Sequence, residues 1–322
     1  MRRFGWLCVA FLLLGGSERP KRRWEEEVEE RIERLDPRVS TSIGGPTTGR
    51  LKGGIPLPRR AFGLFSNPER PNPTAFYGTV EMIRALVRAG RKVAERFPQS
   101  LLYVNDISLR RGGPIPHHAS HRAGRDVDLL FYLTDMDGQP ITPKAIPIDP
   151  DGIGIDFGDP HRSDDNRRVR FDGPRNWRLI QVLLENREAK VQRIFVAEHI
   201  RTLLLQEAVR AKAPRALVER FEDVSCQPAT PHDDHFHIRL FCSDEDLRLG
   251  CADAPPIYPW RLEELRKAGM EPVYEKRRRR RRFNPIHPPL PPQREVEADL
   301  LAFMERRRSW SSKPHPGRPY CP

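Results

Sequence analysis

The chain has 322 residues, 38% hydrophobic and 31% charged, with a formal net charge of +12. That is apolar enough for a sizeable core in one large domain or two small ones, and it excludes a wholly disordered polymer. The 33 prolines imply long irregular stretches as well.

Residues 1–17 have the pattern of a Sec-type signal peptide. Arg2 and Arg3 form a basic start, Leu7 to Leu14 a short apolar run, and Gly15, Gly16 and Ser17 a small-residue end. The apolar run is too short to span a bilayer. Cys8 lies inside it, which argues against a lipoprotein. Export, here to the periplasm, gives the remaining four cysteines meaning: Cys226, Cys242, Cys251 and Cys321 can form two disulfides, with three connectivities open.

Residues 18–40 form a charged helix or linker. Trp24, Val28, Ile32 and Leu35 recur at helical spacing, and Pro37 stops the run, so a short amphipathic helix is expected outside the catalytic core. The span 41–75 is Gly-, Pro- and Thr-rich loop. A helix follows over 79–97, with Thr79 as N-cap. Leu101 to Ile107 is a strand, and 126–133 another. The segment 134–173, full of Asp, Gly and Pro, has no apolar period and reads as a long loop walling a cleft. Pro174 to Glu188 is a helix, 192–197 a strand, 200–221 a helix broken near Pro214, and 235–241 the last core strand. Strands and helices alternate without a regular βαβ repeat. The expected fold is α+β: a small antiparallel-type sheet flanked by helices and long loops.

Beyond residue 255 the composition shifts to a basic, Pro-rich tail, 256–322. Residues 276–322 carry 13 Lys/Arg against 4 Asp/Glu, centred on Arg277 to Arg282. Prolines 285–292 favour an extended linker, and 293–308 a helix. In an exported protein such a tail meets anionic envelope polymers or lipid headgroups, and no nucleic-acid partner is expected.

Six of the ten histidines fall in two short segments, His117-His118-Ala119-Ser120-His121 and His232-Asp233-Asp234-His235-Phe236-His237. Asp126 and Asp128 would share one face of a strand, with Val127, Leu129 and Phe131 on the other. On the second strand His235, His237 and Arg239 share a face, residues two apart being ~6.5–7 Å apart along it. His121, Asp128 and His237 then supply three N/O ligands with a fourth position open, the pattern of catalytic rather than structural zinc. His118 or His232 could close a structural site instead. Asp126 suits the role of partner to a ligating histidine.

His118-Ala119-Ser120-His121 through Asp128, followed by His235-Phe236-His237, resembles the penicillin-insensitive murein endopeptidases. These belong to the wider lysostaphin, D-Ala-D-Ala carboxypeptidase and Hedgehog-like zinc group. Ser42-Ile43-Gly44, Phe76-Tyr77-Gly78, Arg111-Gly112-Gly113 and Arg193-Ile194-Phe195-Val196 add to the likeness, which spans roughly residues 40–255. The resemblance implies a zinc peptidase domain over 41–255, with Zn2+ on His121, Asp128 and His237. It makes His235 catalytic, and His118 and His232 additional site histidines. It also implies a short bridged loop, Cys242–Cys251, and with it Cys226–Cys321. The implied substrate is peptidoglycan, cleaved at the D-alanyl–meso-diaminopimelyl cross-link, with Arg239, Arg111 or Arg122 available for stem-peptide carboxylates. A D,D-carboxypeptidase and a non-catalytic envelope-binding protein are the alternatives.

Overall fold

A computed structural model of the chain describes residues 19–230, 232–276, 297–311 and 321. The expected signal segment 1–17, the run Arg277 to Arg282 and the prolines that follow it lie outside the described residues. No helix among the described residues is long and apolar enough to cross a membrane.

The chain opens with α1 (Arg19–Glu33), then β1 (Thr41–Ile43) and β2 (Arg50–Lys52), an antiparallel ribbon. A second ribbon pairs β3 (Ile55–Pro56) with β6 (Tyr77–Gly78) and encloses β4 (Arg60–Ala61) and β5 (Leu64–Ser66). Next come α2 (Val80–Arg96), β7 (Leu102–Val104) and β8 (Asp126–Leu130). Then follow β9 (Leu133–Thr134), β10 (Pro140–Ile141), β11 (Ile153–Asp156), β12 (Arg167–Phe171), α3 (Gly173–Leu184) and β13 (Val191–Phe195). The last stretch holds α4 (Glu198–Arg210), α5 (Arg215–Val224), β14 (Ser225–Cys226), β15 (His235–Leu240), α6 (Asp244–Arg248), α7 (Pro259–Lys267) and α8 (Ala298–Ser311).

The main sheet has seven strands in the order β14-β13-β15-β8-β7-β5-β4. Its centre is antiparallel, as the α+β expectation has it, and parallel pairs flank it at β13–β14 and β5–β7. Val127, Leu129, Phe236, Ile238 and Leu240 pack in one core with α2 and α3, each such side chain worth about 2 kcal/mol of burial. The opposite face of β8 and β15 is left for polar residues. Thr79 caps α2 as expected, its hydroxyl accepting the Met82 N–H at 3.3 Å.

Three regions differ from the expectations. The segment 134–173 is not a bare loop: β9 to β12 form a four-stranded antiparallel sheet, ordered β10-β9-β12-β11. Its strands are two to five residues long and carry exposed Arg167, Arg168 and Arg170, so no apolar period marks them. Helix α1 lies inside the core assembly, not outside it. Val28 and Ile32 are buried against α2, and Arg84 caps the end of α1 by donating to the carbonyls of Ile32 at 3.2 Å and Glu33 at 2.8 Å. Nor does β15 end the core. Cys242, Leu247, Cys251 and Leu265 form a second apolar cluster, with Tyr258 and Arg261 buried at α7. Both disulfides, Cys242–Cys251 and Cys226–Cys321, are formed.

Candidate metal centre

β8 and β15 are neighbours in the sheet, with His237 opposite Asp128, Arg239 opposite Asp126 and His235 opposite Leu130. Period-two alternation therefore brings Asp126, Asp128, His235, His237 and Arg239 to one face. The loop 113–122 delivers the other histidines. Its base is pinned where the Gly113 N–H donates to the Arg122 carbonyl at 2.9 Å. Gly112, at φ +68°, sits so near that carbonyl that a Cβ would collide with it. His121 itself adopts φ +63°, a left-handed conformation rare outside glycine.

Asp128 is the hub. Its Oδ1 lies 3.3 Å from His121 Nε2, 3.7 Å from His237 Nδ1 and 3.7 Å from His235 Nε2; its Oδ2 lies 3.7 Å from His118 Nδ1. The remote nitrogen of each ring is tied elsewhere. His118 Nε2 meets Asp106 at 3.0 Å, and His121 Nδ1 donates to the Ile107 carbonyl at 2.9 Å. His235 Nδ1 meets Asp234 at 2.5 Å, and His237 Nε2 donates to Asp126 at 2.8 Å. Four imidazoles thus turn one free nitrogen each toward one carboxylate. Tying the far nitrogen fixes tautomer and orientation, as around bound metals.

The buried atoms left without a hydrogen-bond partner include Asp128 Oδ1 and His121 Nε2. Such orphans cost stability unless something fills them. Ligand bonds of ~2.0–2.1 Å in a tetrahedral shell put donor atoms ~3.3 Å apart, which is the His121–Asp128 separation. The residues present therefore fit a divalent cation. The tightest trio is His118, His121 and Asp128, whose ligand atoms lie within 4.8 Å of one another. His237, however, faces Oδ1, the orphaned oxygen, whereas His118 faces Oδ2.

Burial opposes charge on Asp128, yet the His121 and His235 rings hold its carboxyl well below the ordinary range. Burial likewise disfavours a charged His235, but Asp128 and Asp234 outweigh it and push the ring up to about 9. For His237 burial wins, and its pKa falls to about 3; His232 falls to about 4 from burial and the neighbouring His235 charge. His237 is thus a neutral donor beside an anionic Asp128.

The remaining expected residues are placed as follows. His232 lies at the edge of the group, its ring centre 4.8 Å from His235 and its Nδ1 donating to the Thr230 carbonyl at 3.0 Å. His117 is exposed. Asp126 does serve as partner to His237. Arg239 is not open to substrate: it is buried and donates to Asp126 at 2.7 Å. Asp106 and Asp234 had no signal of their own in the sequence beyond being acids near the motifs. Asp233 is fully buried rather than a plain loop acid.

A His/Asp metal centre set on the polar face of an α+β sheet is the class this arrangement defines. The model of the family described as penicillin-insensitive murein endopeptidase matches residues 42–261, and the chain belongs to that family. Among curated relatives of that name, one from Haemophilus influenzae is 28% identical over 207 residues, covering 63% of this chain and 64% of its own length. One from Yersinia enterocolitica is 27% identical over 219 residues, covering 67% and 71%. One from Pectobacterium atrosepticum is 24% identical over 261 residues, covering 79% and 83%. The chain thus spans just under two thirds of the Haemophilus relative.

Proposed function

We propose that the chain is a zinc-dependent murein endopeptidase that hydrolyses D-alanyl–meso-diaminopimelyl cross-links in the cell envelope. The observation that carries this is the convergence of tied imidazoles on Asp128, with Asp128 Oδ1 and His121 Nε2 left unpartnered. His121, Asp128 and His237 would hold the metal, through Nε2, Oδ1 and Nδ1. When bound, it supplies Lewis acidity toward water and the scissile carbonyl. His235 takes the proton of the attacking water at Nε2 and steadies developing negative charge; Asp234 fixes its Nδ1–H and stabilises the ring once charged. Asp126, neutralised by Arg239, keeps His237 neutral at Nδ1. His118 stands on the far side of Asp128 and orients its Oδ2, itself held by Asp106. Arg111 is exposed, as recognition of stem-peptide carboxylates requires.

The test is incubation of the purified protein with sacculi and mass spectrometry of the products. Cross-linked dimers resolved to monomers support the endopeptidase; release of free D-alanine alone would indicate a carboxypeptidase, and no product a binding protein.

A further inference from the structure

Helix α8 lies beyond the matched span 42–261, yet it docks beside the histidines. Asp233, between His232 and Asp234, has no exposed surface. Arg307 of α8 donates to both its oxygens, at 2.9 and 2.6 Å, and the Trp310 indole N–H reaches Oδ2 at 3.3 Å. The main chain here is tied separately. The Ile148 N–H donates to the Asp233 carbonyl at 2.8 Å, and the Ala197 N–H to the His232 carbonyl at 2.9 Å. The helix has two further anchors. Phe303 is buried with its ring 5.7 Å from Phe157, and Glu297 accepts from Asn166 at 2.8 Å. Past the helix, Cys321 is bonded to Cys226 and donates its N–H to Gln227 at 2.8 Å.

We propose that α8 is a positioning element of the active centre and that Arg307 is a positioning residue, acting through Asp233 on His235. The proposal rests on the hydrolase reading of the site. A buried carboxylate without its cation is strongly unfavourable. Released from Arg307, Asp233 turns toward water and carries Asp234 and His235, one and two residues on, out of alignment. A planar, two-pronged guanidinium fixes direction as well as charge, which a lysine would not.

The test uses the full chain, loaded with zinc, in four forms: wild type, Arg307→Ala, the pair Asp233→Asn/Arg307→Met, and Glu305→Ala on the exposed side of α8. The double variant removes the ion pair without leaving a buried charge, so it folds even where Arg307→Ala does not. Glu305→Ala should behave as wild type. Metal content should stay at the wild-type level in all. In the Arg307 variants kcat on soluble cross-linked muropeptide should fall by roughly tenfold to a hundredfold with KM little changed, as expected for a displaced catalytic group. Millimolar methylguanidinium should restore part of the rate of Arg307→Ala. The 15N resonances of the His235 ring should shift in the double variant, whatever the turnover. A double variant with wild-type kcat and unshifted His235 resonances would overturn the proposal, as would loss of metal in step with activity. A wild type that cleaves nothing would overturn the hydrolase reading instead, and the resonances would then judge the positioning alone.

Discussion

Asp234 Oδ1 lies 2.5 Å from His235 Nδ1, one residue along the chain. The pair points the opposite ring nitrogen at Asp128 and makes two effects separable. His235→Ala should keep its metal yet cleave at least about a hundredfold more slowly, the low end for a general acid–base group. Asp234→Asn should lose about 10–100-fold, the usual cost of a missing partner behind a working histidine. Steady-state kinetics with elemental analysis checks both. Wild-type turnover in His235→Ala would move the role to His232.

Asp128 faces all four rings, so its loss should be total. Asp128→Ala should abolish metal binding and activity together. Asp126→Asn, which only loosens His237 and Arg239, should weaken metal affinity about 10–100-fold. Full metal occupancy in Asp128→Ala, by elemental analysis, would sink the ligand assignment.

Penicillins trap serine nucleophiles that sit in Ser-x-x-Lys motifs. The chain contains no such motif; Ser120, nearest the centre, has Ala123 three residues on. Cleavage of muropeptide dimers should survive a β-lactam, stop with phenanthroline and return with added zinc. The reverse pattern of inhibition would overturn the metal mechanism.

Asp246 offers a pH test away from the centre. Burial pushes its carboxyl up to about 7, against the Ser42 N–H that donates to it at 2.9 Å. A raised carboxyl pKa stabilises the fold below its unfolded value near pH 4, and that contribution is lost as pH rises through 7. At ~1.4 kcal/mol per pH unit the loss is at most about 4 kcal/mol by pH 8. Asp246→Asn should therefore gain on the wild type as pH rises from 4 to 8, in melting temperature measured across that range. A constant difference would rule the effect out.

The arginine run should act apart from the chemistry. Replacing Arg277 to Arg282 with serine should leave hydrolysis of soluble muropeptide unchanged and weaken binding to anionic vesicles. The difference should shrink with salt, since exposed charges are screened within about 10 Å at 0.1 M. Equal vesicle binding by the two proteins at low salt would remove the envelope role of the run.

What was legible in the sequence is what has a period. Helix α2, β8 and β15 carry clear apolar repeats, and the alternation on β8 and β15 alone places Asp126, Asp128, His235 and His237 on a common face. The strands β9 to β12 are too short and too charged to show one. Val28 and Ile32 are two apolar positions in a helix otherwise dominated by Glu and Arg, so its docking depends on Arg84 from a distant helix. Asp106, Asp234 and Arg307 are common residues whose roles arise only from what the fold puts beside them. Arg307 is 74 residues from Asp233, and no local pattern links the two.

The Cys226–Cys321 bond joins residues 95 apart. It can close only after the whole peptidase domain and α8 have been synthesised, and only where thiols are oxidised. Closing a loop of that length removes about 4–5 kcal/mol of freedom from the unfolded chain. The same bond therefore orders events in time: the segment beside the catalytic turn receives its final clamp last, after the chain has left the reducing environment in which it was made.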